Sequence, residues 1–194
     1  MRDPRPTIMR TLEEQVNPKH AALVIIDVQN DFVHPEGIFG KQAGELWQTY
    51  HLFPRMLENL PPLLRAARRA NCLAVFVRGI YDPTYTSEPF AFILEQKELY
   101  GELCCSGTFG ADFYGDIRPA ESPREFTVTK HNYSAFWATD LDTILRSNGV
   151  KTVVMTGTAS SGCVESTTRD AFFNDYYTVT VDDCCAERYE SHHK

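Results

Sequence analysis

Residues 21 to 27 read Ala-Ala-Leu-Val-Ile-Ile-Asp, an unbroken apolar run that ends in an acid. A continuous rather than alternating run predicts a strand buried on both faces, as central parallel strands are, with the acid at its C-terminal edge. Helical spacing takes over from Leu57 to Ala70. Leu60, Leu63, Leu64 and Ala67 share one stripe while Arg65, Arg68 and Arg69 occupy other faces, and Pro61 and Pro62 leave the helix start open. Leu73 to Arg78 and Glu125 to Thr129, rich in β-branched and aromatic residues, predict a second and a third strand. Asp140 to Arg146 suits a helix stopped by Asn148-Gly149, followed by a strand over Lys151 to Gly157. A further helix should open at about Cys163, and Tyr177 to Asp182 alternates into a last strand ending at Asp182-Asp183. Strands alternating with helices specify an α/β fold, an open parallel sheet flanked by helices on both faces and joined by right-handed crossovers.

The stretch from Gly79 to Ser122 shows no period. Its Tyr, Phe, Pro and Gly content predicts a partly ordered excursion over the surface, long enough for a lid or an oligomer contact. With 194 residues, 43% of them hydrophobic, the chain reads as one domain, 1–194, of which 1–19 form an N-terminal extension. A net charge of −7 without any basic run speaks against nucleic acid as a partner. Arg2, Arg5 and Arg10 are followed by no apolar stretch of the secretory kind, and no run approaches the roughly 20 apolar residues that cross a bilayer. The expectation is a cytoplasmic protein with no membrane partner. Six cysteines in a chain able to build a core read as free thiols, and the adjacent pairs Cys104-Cys105 and Cys184-Cys185 lack the spacer that lets two thiolates share a zinc ion.

In an open parallel sheet, ligands sit beyond the C-terminal ends of the strands. Three reactive side chains fall there: Asp27 ends the first strand, Lys130 ends the third, and Cys163 follows the fourth after a short turn. Singly, such an Asp serves as a turn cap, such a Lys as a solvated charge and such a Cys as buried filler. Together they would place in one cleft a thiol, a cation that favours its thiolate and a carboxylate able to move its proton. The turn Gly157-Thr158-Ala159-Ser160-Ser161-Gly162-Cys163 has only small residues before the expected helix start, where free N–H groups favour negative charge. That placement predicts a lowered thiol pKa, and N–H groups near Gly162 and Cys163 that hold an oxyanion at about 3 kcal/mol per donor. Small residues packed in a tight turn would explain the same stretch without chemistry.

At these residues the chain resembles the isochorismatase-like cysteine hydrolases. The matching blocks are Leu-Val-Ile-Ile-Asp-Val-Gln-Asn-Asp-Phe over 23–32, Lys-His-Asn-Tyr-Ser-Ala-Phe over 130–136, and Gly157 to Asp170. The resemblance spans roughly residues 20 to 185. It implies a Rossmann-like three-layer sandwich, a catalytic triad of Asp27, Lys130 and Cys163, a cis peptide bond at Thr158-Ala159, a homo-oligomer (dimer or tetramer) and no cofactor. It further implies a route in which Cys163 attacks an amide carbonyl, Asp27 shuttles the proton and a thioester forms and is hydrolysed. Relatives continue past the position of Asp182-Asp183 with another helix and strand, so the resemblance implies a short C-terminal end here, with His192 and His193 as solvated tail.

Nicotinamidases of that family carry a metal site with an Asp-x-His pair, whereas Val33 to Tyr85 offers only His34 and His51, so no metal is expected. Members acting on a vinyl ether lack the cysteine. The block from Lys130 to Phe173 looks closest to ureidoacrylate and related carbamoyl amidohydrolases, which implies a small linear ureido or carbamoyl amide as substrate. Gln29, Phe32, Tyr133, Phe136, Trp137 and Ser161 are then the expected pocket residues, with Arg78 binding a carboxylate or pairing with an acid such as Asp82. Two readings from other classes remain: a catalytically silent scaffold, and a thiol redox sensor built on Cys163 and a neighbouring cysteine.

Overall fold

The computed structural model describes residues 8–193, so Arg2, Arg5 and Lys194 lie outside it. The elements run α1 (Leu12–Gln15), β1 (Ala21–Ile26), α2 (Asn30–Val33), α3 (Ile38–Ala43), α4 (Leu52–Arg69), β2 (Leu73–Gly79), α5 (Glu88–Gln96) and β3 (Glu125–Lys130). They continue with α6 (Leu141–Ser147), β4 (Thr152–Thr158), α7 (Glu165–Phe173) and β5 (Tyr177–Ala186). Every strand pairing is parallel, in the order β3-β2-β1-β4-β5. β1 therefore lies at the centre, which is why all six of its residues are buried and why its sequence is apolar without alternation.

Alternate strand residues feed two separate cores. Leu23, Ile25, Ala74 and Phe76 pack against Leu52, Phe53, Met56, Leu60 and Leu64 of α4, while Ala22, Val24, Val75 and Val153 pack against Leu141 and Leu145 of α6 and Ala171 of α7. These are the three expected layers.

Four expectations are corrected. Helix α4 starts at Leu52, five residues before the sequence suggests, and carries Pro61 and Pro62 inside it. Each proline removes one N–H bond, but Leu52, Phe53, Met56, Leu60 and Leu64 form one buried stripe running past both, and that burial outweighs the break. The helix expected at Cys163 begins instead at Glu165, after a π-type turn over Ser160–Val164. Strand β5 does not stop at Asp182-Asp183. Its pairing steps from Met155↔Thr180 to Gly157↔Cys185, so β5 takes five steps where β4 takes two, and the resulting bulge lets it run on to Ala186. The excursion after β2 is partly ordered but does not simply run over the surface: it holds α5 and buries Phe90, Leu94, Leu99, Leu103 and Cys104 in the α4-side core.

Gly157 sits where β4 approaches the chemistry-bearing turn. Its φ is +110, and a Cβ there would lie 2.0 Å from the Ile26 carbonyl oxygen. Only glycine meets both conditions. Gly157→Ala should cost about 2–5 kcal/mol from strain and overpacking together, read as a lower urea midpoint; an unchanged midpoint would contradict this account of the β1–β4 contact.

Candidate active site

The strand ends bring three polar side chains together. Asp27, one residue past β1, adopts φ +53, a left-handed turn that Asp tolerates better than most residues, and its N–H donates to the Val77 carbonyl at 3.0 Å. Lys130 ends β3, in register with Gly79 at the end of β2. Both side chains are fully buried, and Lys130 Nζ lies 2.8 Å from Asp27 Oδ2 and 3.2 Å from Cys163 Sγ. Nζ also donates to Tyr81 OH at 2.8 Å and to the Asn132 carbonyl at 2.9 Å. The convergence inferred from strand position is thus present, and the Thr158-Ala159 peptide bond is cis.

Burial favours the neutral form of each group, and the mutual charges decide what survives. For Lys130, burial acts to lower the pKa, but Asp27 and the Cys163 sulfur more than offset it and hold the ammonium above its ordinary value. For Cys163, burial wins: it pushes the thiol up to about 12, against the pull of Lys130, and Asp27 adds to the rise. The expected low thiol pKa is therefore corrected. Cys163 stands in the π-type turn with 6% of its surface exposed, and desolvation there exceeds any helix-end effect. The resting cluster is a thiol beside an ion pair, so any attack by the sulfur would require proton transfer within the cluster. Apart from Lys130 and the thiol, neither oxygen of Asp27 has a donor among the described residues, which leaves the carboxylate able to receive that proton.

The turn itself is tied from both sides. The Gly162 N–H donates to the Ala159 carbonyl at 3.0 Å and is spent, which corrects its expected place as an oxyanion donor. Thr158 is fully buried beneath the turn. Thr167 Oγ1 donates to the Cys163 carbonyl at 2.6 Å and accepts from the Ala135 N–H at 3.0 Å, joining the turn to the segment after β3. Ser161 donates to Glu187 Oε2 through its N–H, at 3.2 Å, and its hydroxyl, at 2.7 Å.

A cavity of about 680 Å³ opens on Cys163, Ala159 and Gly162, and Phe32, Tyr133 and Ser161 line it as expected. Four other expected pocket residues do not. Gln29 is a staple: its amide donates to the Gly79 carbonyl at 3.0 Å and the Ala111 carbonyl at 2.9 Å and accepts the Gly79 N–H at 2.8 Å. Arg78 faces a different depression and donates to Thr129 Oγ1 at 3.1 Å, while Asp82 is occupied by Ser106. Phe136 packs against Tyr176 in the α6-side core, and Trp137 is exposed.

The cavity instead takes Phe39, Tyr81, Phe90, Leu94 and Leu103, with Lys97, Glu187, Arg188 and His192 as its charged and titratable lining. Glu187 and Arg188 directly follow β5 beyond its bulge, where the alternation that would mark them in the sequence is lost. The terminal histidines are not free tail either: His193 lies 2.7 Å from Ser160 Oγ and 3.0 Å from Asp182, and His192 packs on Tyr189.

The Isochorismatase domain model matches residues 21–194. An isochorismatase family protein from Desulfovibrio vulgaris subsp. vulgaris str. Hildenborough aligns at TM-score 0.73 and 29% identity, over 89% of this chain and 85% of that one. N-carbamoylsarcosine amidase from Thermoplasma acidophilum aligns at TM-score 0.71 and 28% identity, over 90% and 88%. The pyrazinamidase/nicotinamidase of Streptococcus mutans UA159 aligns at TM-score 0.71 and 29% identity, over 89% and 91%.

Burial also raises the thiols of Cys72, Cys104, Cys105, Cys184 and Cys185, so all six cysteines hold their protons more tightly folded than unfolded. Such groups contribute stability that is fully present below the unfolded thiol value and is lost as pH rises through the folded one. The urea midpoint should therefore fall from about pH 9 towards 12, and a midpoint level between pH 9 and 11 would contradict the burial of these thiols.

Proposed function

Because the chain belongs to the isochorismatase family and is a cysteine hydrolase of amide bonds, we propose that its substrate is a small linear ureido or carbamoyl acid. The observation that carries this is the buried Asp27–Lys130–Cys163 cluster opening onto an aromatic cavity that also holds Arg188. Aromatic faces from Phe32, Phe39 and Tyr133 suit a planar group, and a ureido unit is planar and polar at both edges. The guanidinium of Arg188 lies 4.6 Å from the Phe39 ring centroid, with Nη1 on Gln42 Oε1 at 3.3 Å and Nε without an acceptor among the described residues. It retains donors for a carboxylate, the task first assigned to Arg78.

In the proposed reaction Asp27 takes the proton of Cys163 as the sulfur attacks the carbonyl carbon, and Lys130 steadies the charge shared by carboxylate and sulfur. The Cys163 N–H supplies the oxyanion donor, since that of Gly162 is engaged. As the C–N bond breaks, Asp27 returns the proton to the departing nitrogen and leaves a thioester. Water then gives a proton to Asp27 and its oxygen to the acyl carbon, and the thiol is restored. Ammonia is released when the terminal nitrogen departs; carbamate is released when the substituted nitrogen departs and water frees the carbamoyl group. Among the described residues no group of three or more His, Cys, Asp or Glu side chains could hold a metal ion.

The test is ammonia release from ureidoacrylate, N-carbamoyl amino acids, biuret and nicotinamide, with and without chelator. Turnover of the ureido or carbamoyl compounds should survive chelation and vanish in Cys163→Ala and Cys163→Ser, both still folded. Arg188→Gln should raise KM about tenfold or more for the carboxylates, as expected for a lost charge-assisted bond, and leave neutral biuret nearly unchanged. Preference for nicotinamide, or activity that disappears with chelation, would contradict the reading.

A further inference from the structure

One polar atom at the cluster has no part in the route above. Tyr81 is buried, and its hydroxyl lies 2.8 Å from Lys130 Nζ, the same atom that lies 3.2 Å from the Cys163 sulfur. Its position is built. A Cβ at Gly79 would fall 2.5 Å from the Tyr81 hydroxyl oxygen and 2.6 Å from Cζ, so the ring occupies the space a side chain would need. Gln29 in turn clamps Gly79 by both its N–H and its carbonyl. Phe90 closes the other approach, its ring 5.4 Å from that of Tyr81.

The hydrogen-bond count at Lys130 gives this hydroxyl a task. An ammonium has three N–H donors, and Lys130 Nζ has four acceptors around it: Asp27 Oδ2, Tyr81 OH, the Asn132 carbonyl and Cys163 Sγ, with the sulfur the most distant at 3.2 Å. A thiol is a weak acceptor and loses little by the shortfall. A thiolate in the same buried place needs every donor within reach. Tyr81 accepts from Lys130 through an oxygen lone pair, which leaves its own O–H able to donate. Burial, with Cys163 and Asp27 beside it, holds the phenol well above its ordinary pKa, so it remains a neutral donor throughout. The other titratable groups around it are Lys130 and Cys104, and burial keeps the Cys104 thiol protonated.

We propose that the Tyr81 hydroxyl donates a hydrogen bond to the Cys163 thiolate and so lets that thiolate form inside a desolvated site. This rests on Cys163 being the nucleophile. Tyr81 is then a fourth member of the nucleophilic cluster, with Gly79 and Gln29 as the residues that position it.

The test uses the rate at which iodoacetamide alkylates Cys163 in the intact protein, followed by mass spectrometry across a pH series. Below the thiol pKa this rate follows the thiolate fraction. Tyr81→Phe keeps the ring and removes the donor. It should displace the pH–rate profile upward by about one pH unit, which is about tenfold slower alkylation at a given pH. Replacing Tyr81 with 3-fluorotyrosine makes the phenol a stronger donor and should displace the profile downward. A merely structural role would loosen the site and speed both proteins, or leave both unmoved. Shifts in the same direction, or no shift, overturn the proposal; if the Phe protein does not fold, the absence of a downward shift in the fluorinated protein overturns it alone. Equal labelling of several cysteines in the unmodified protein would instead refute the nucleophile assignment, and this inference with it.

Discussion

The structure is organised around one buried ammonium. Lys130 has no exposed surface and neither has Asp27, and an isolated charge so placed costs several kcal/mol even after relaxation. The pair is tolerable only because every donor of Lys130 finds an acceptor, and the acceptors come from well-separated parts of the chain: Asp27 after β1, Tyr81 after β2, Asn132 after β3 and Cys163 after β4. That requirement explains why four neighbouring parallel strands end at one level. It also accompanies the local departures from regular backbone, the positive φ of Asp27 just past β1 and of Gly157 one residue before the end of β4.

The same arrangement sets the chemistry. A thiol in water would ionise more readily than one held here, where burial pushes it up to about 12. In the proposed reaction the sulfur stays neutral until a proton acceptor and hydrogen-bond donors act together, so reactivity would belong to the cluster and not to the cysteine. The β5 bulge has a parallel role at the rim. By taking extra steps before Cys185, β5 brings Glu187 to Ser161 in the turn that carries Cys163 and sets Arg188 in the cavity wall beyond it.

The sheet was legible because buried parallel strands leave continuous apolar runs, and Asp27, Lys130 and Cys163 were legible because each ends or follows such a run. Side chains that reach the site from irregular backbone left no comparable signal. Tyr81 sits just past β2 at the start of a stretch without period, and its meaning depends on Gly79 and Gln29 far apart in sequence. Arg188 was hidden because alternation is lost through the bulge, which made Asp182-Asp183 look like a strand end; Arg78, at a true strand end, turned out to face another depression. The thiol pKa was misjudged for a related reason. Sequence shows a turn of small residues before a helix, whereas the depth at which that turn is buried depends on the whole fold.

The central claim is that Asp27 and Lys130 act on Cys163 as one unit, and a double-mutant cycle measures it directly. Asp27→Asn, Lys130→Ala and the double variant are each assayed for turnover of a carbamoyl substrate, with folding checked by circular dichroism. The account predicts that each single change lowers the rate by orders of magnitude and that the double variant is scarcely worse than either, because the first change already dismantles the cluster. Losses in activation free energy that simply add would contradict it, since they would mean that the carboxylate and the ammonium serve the thiol independently.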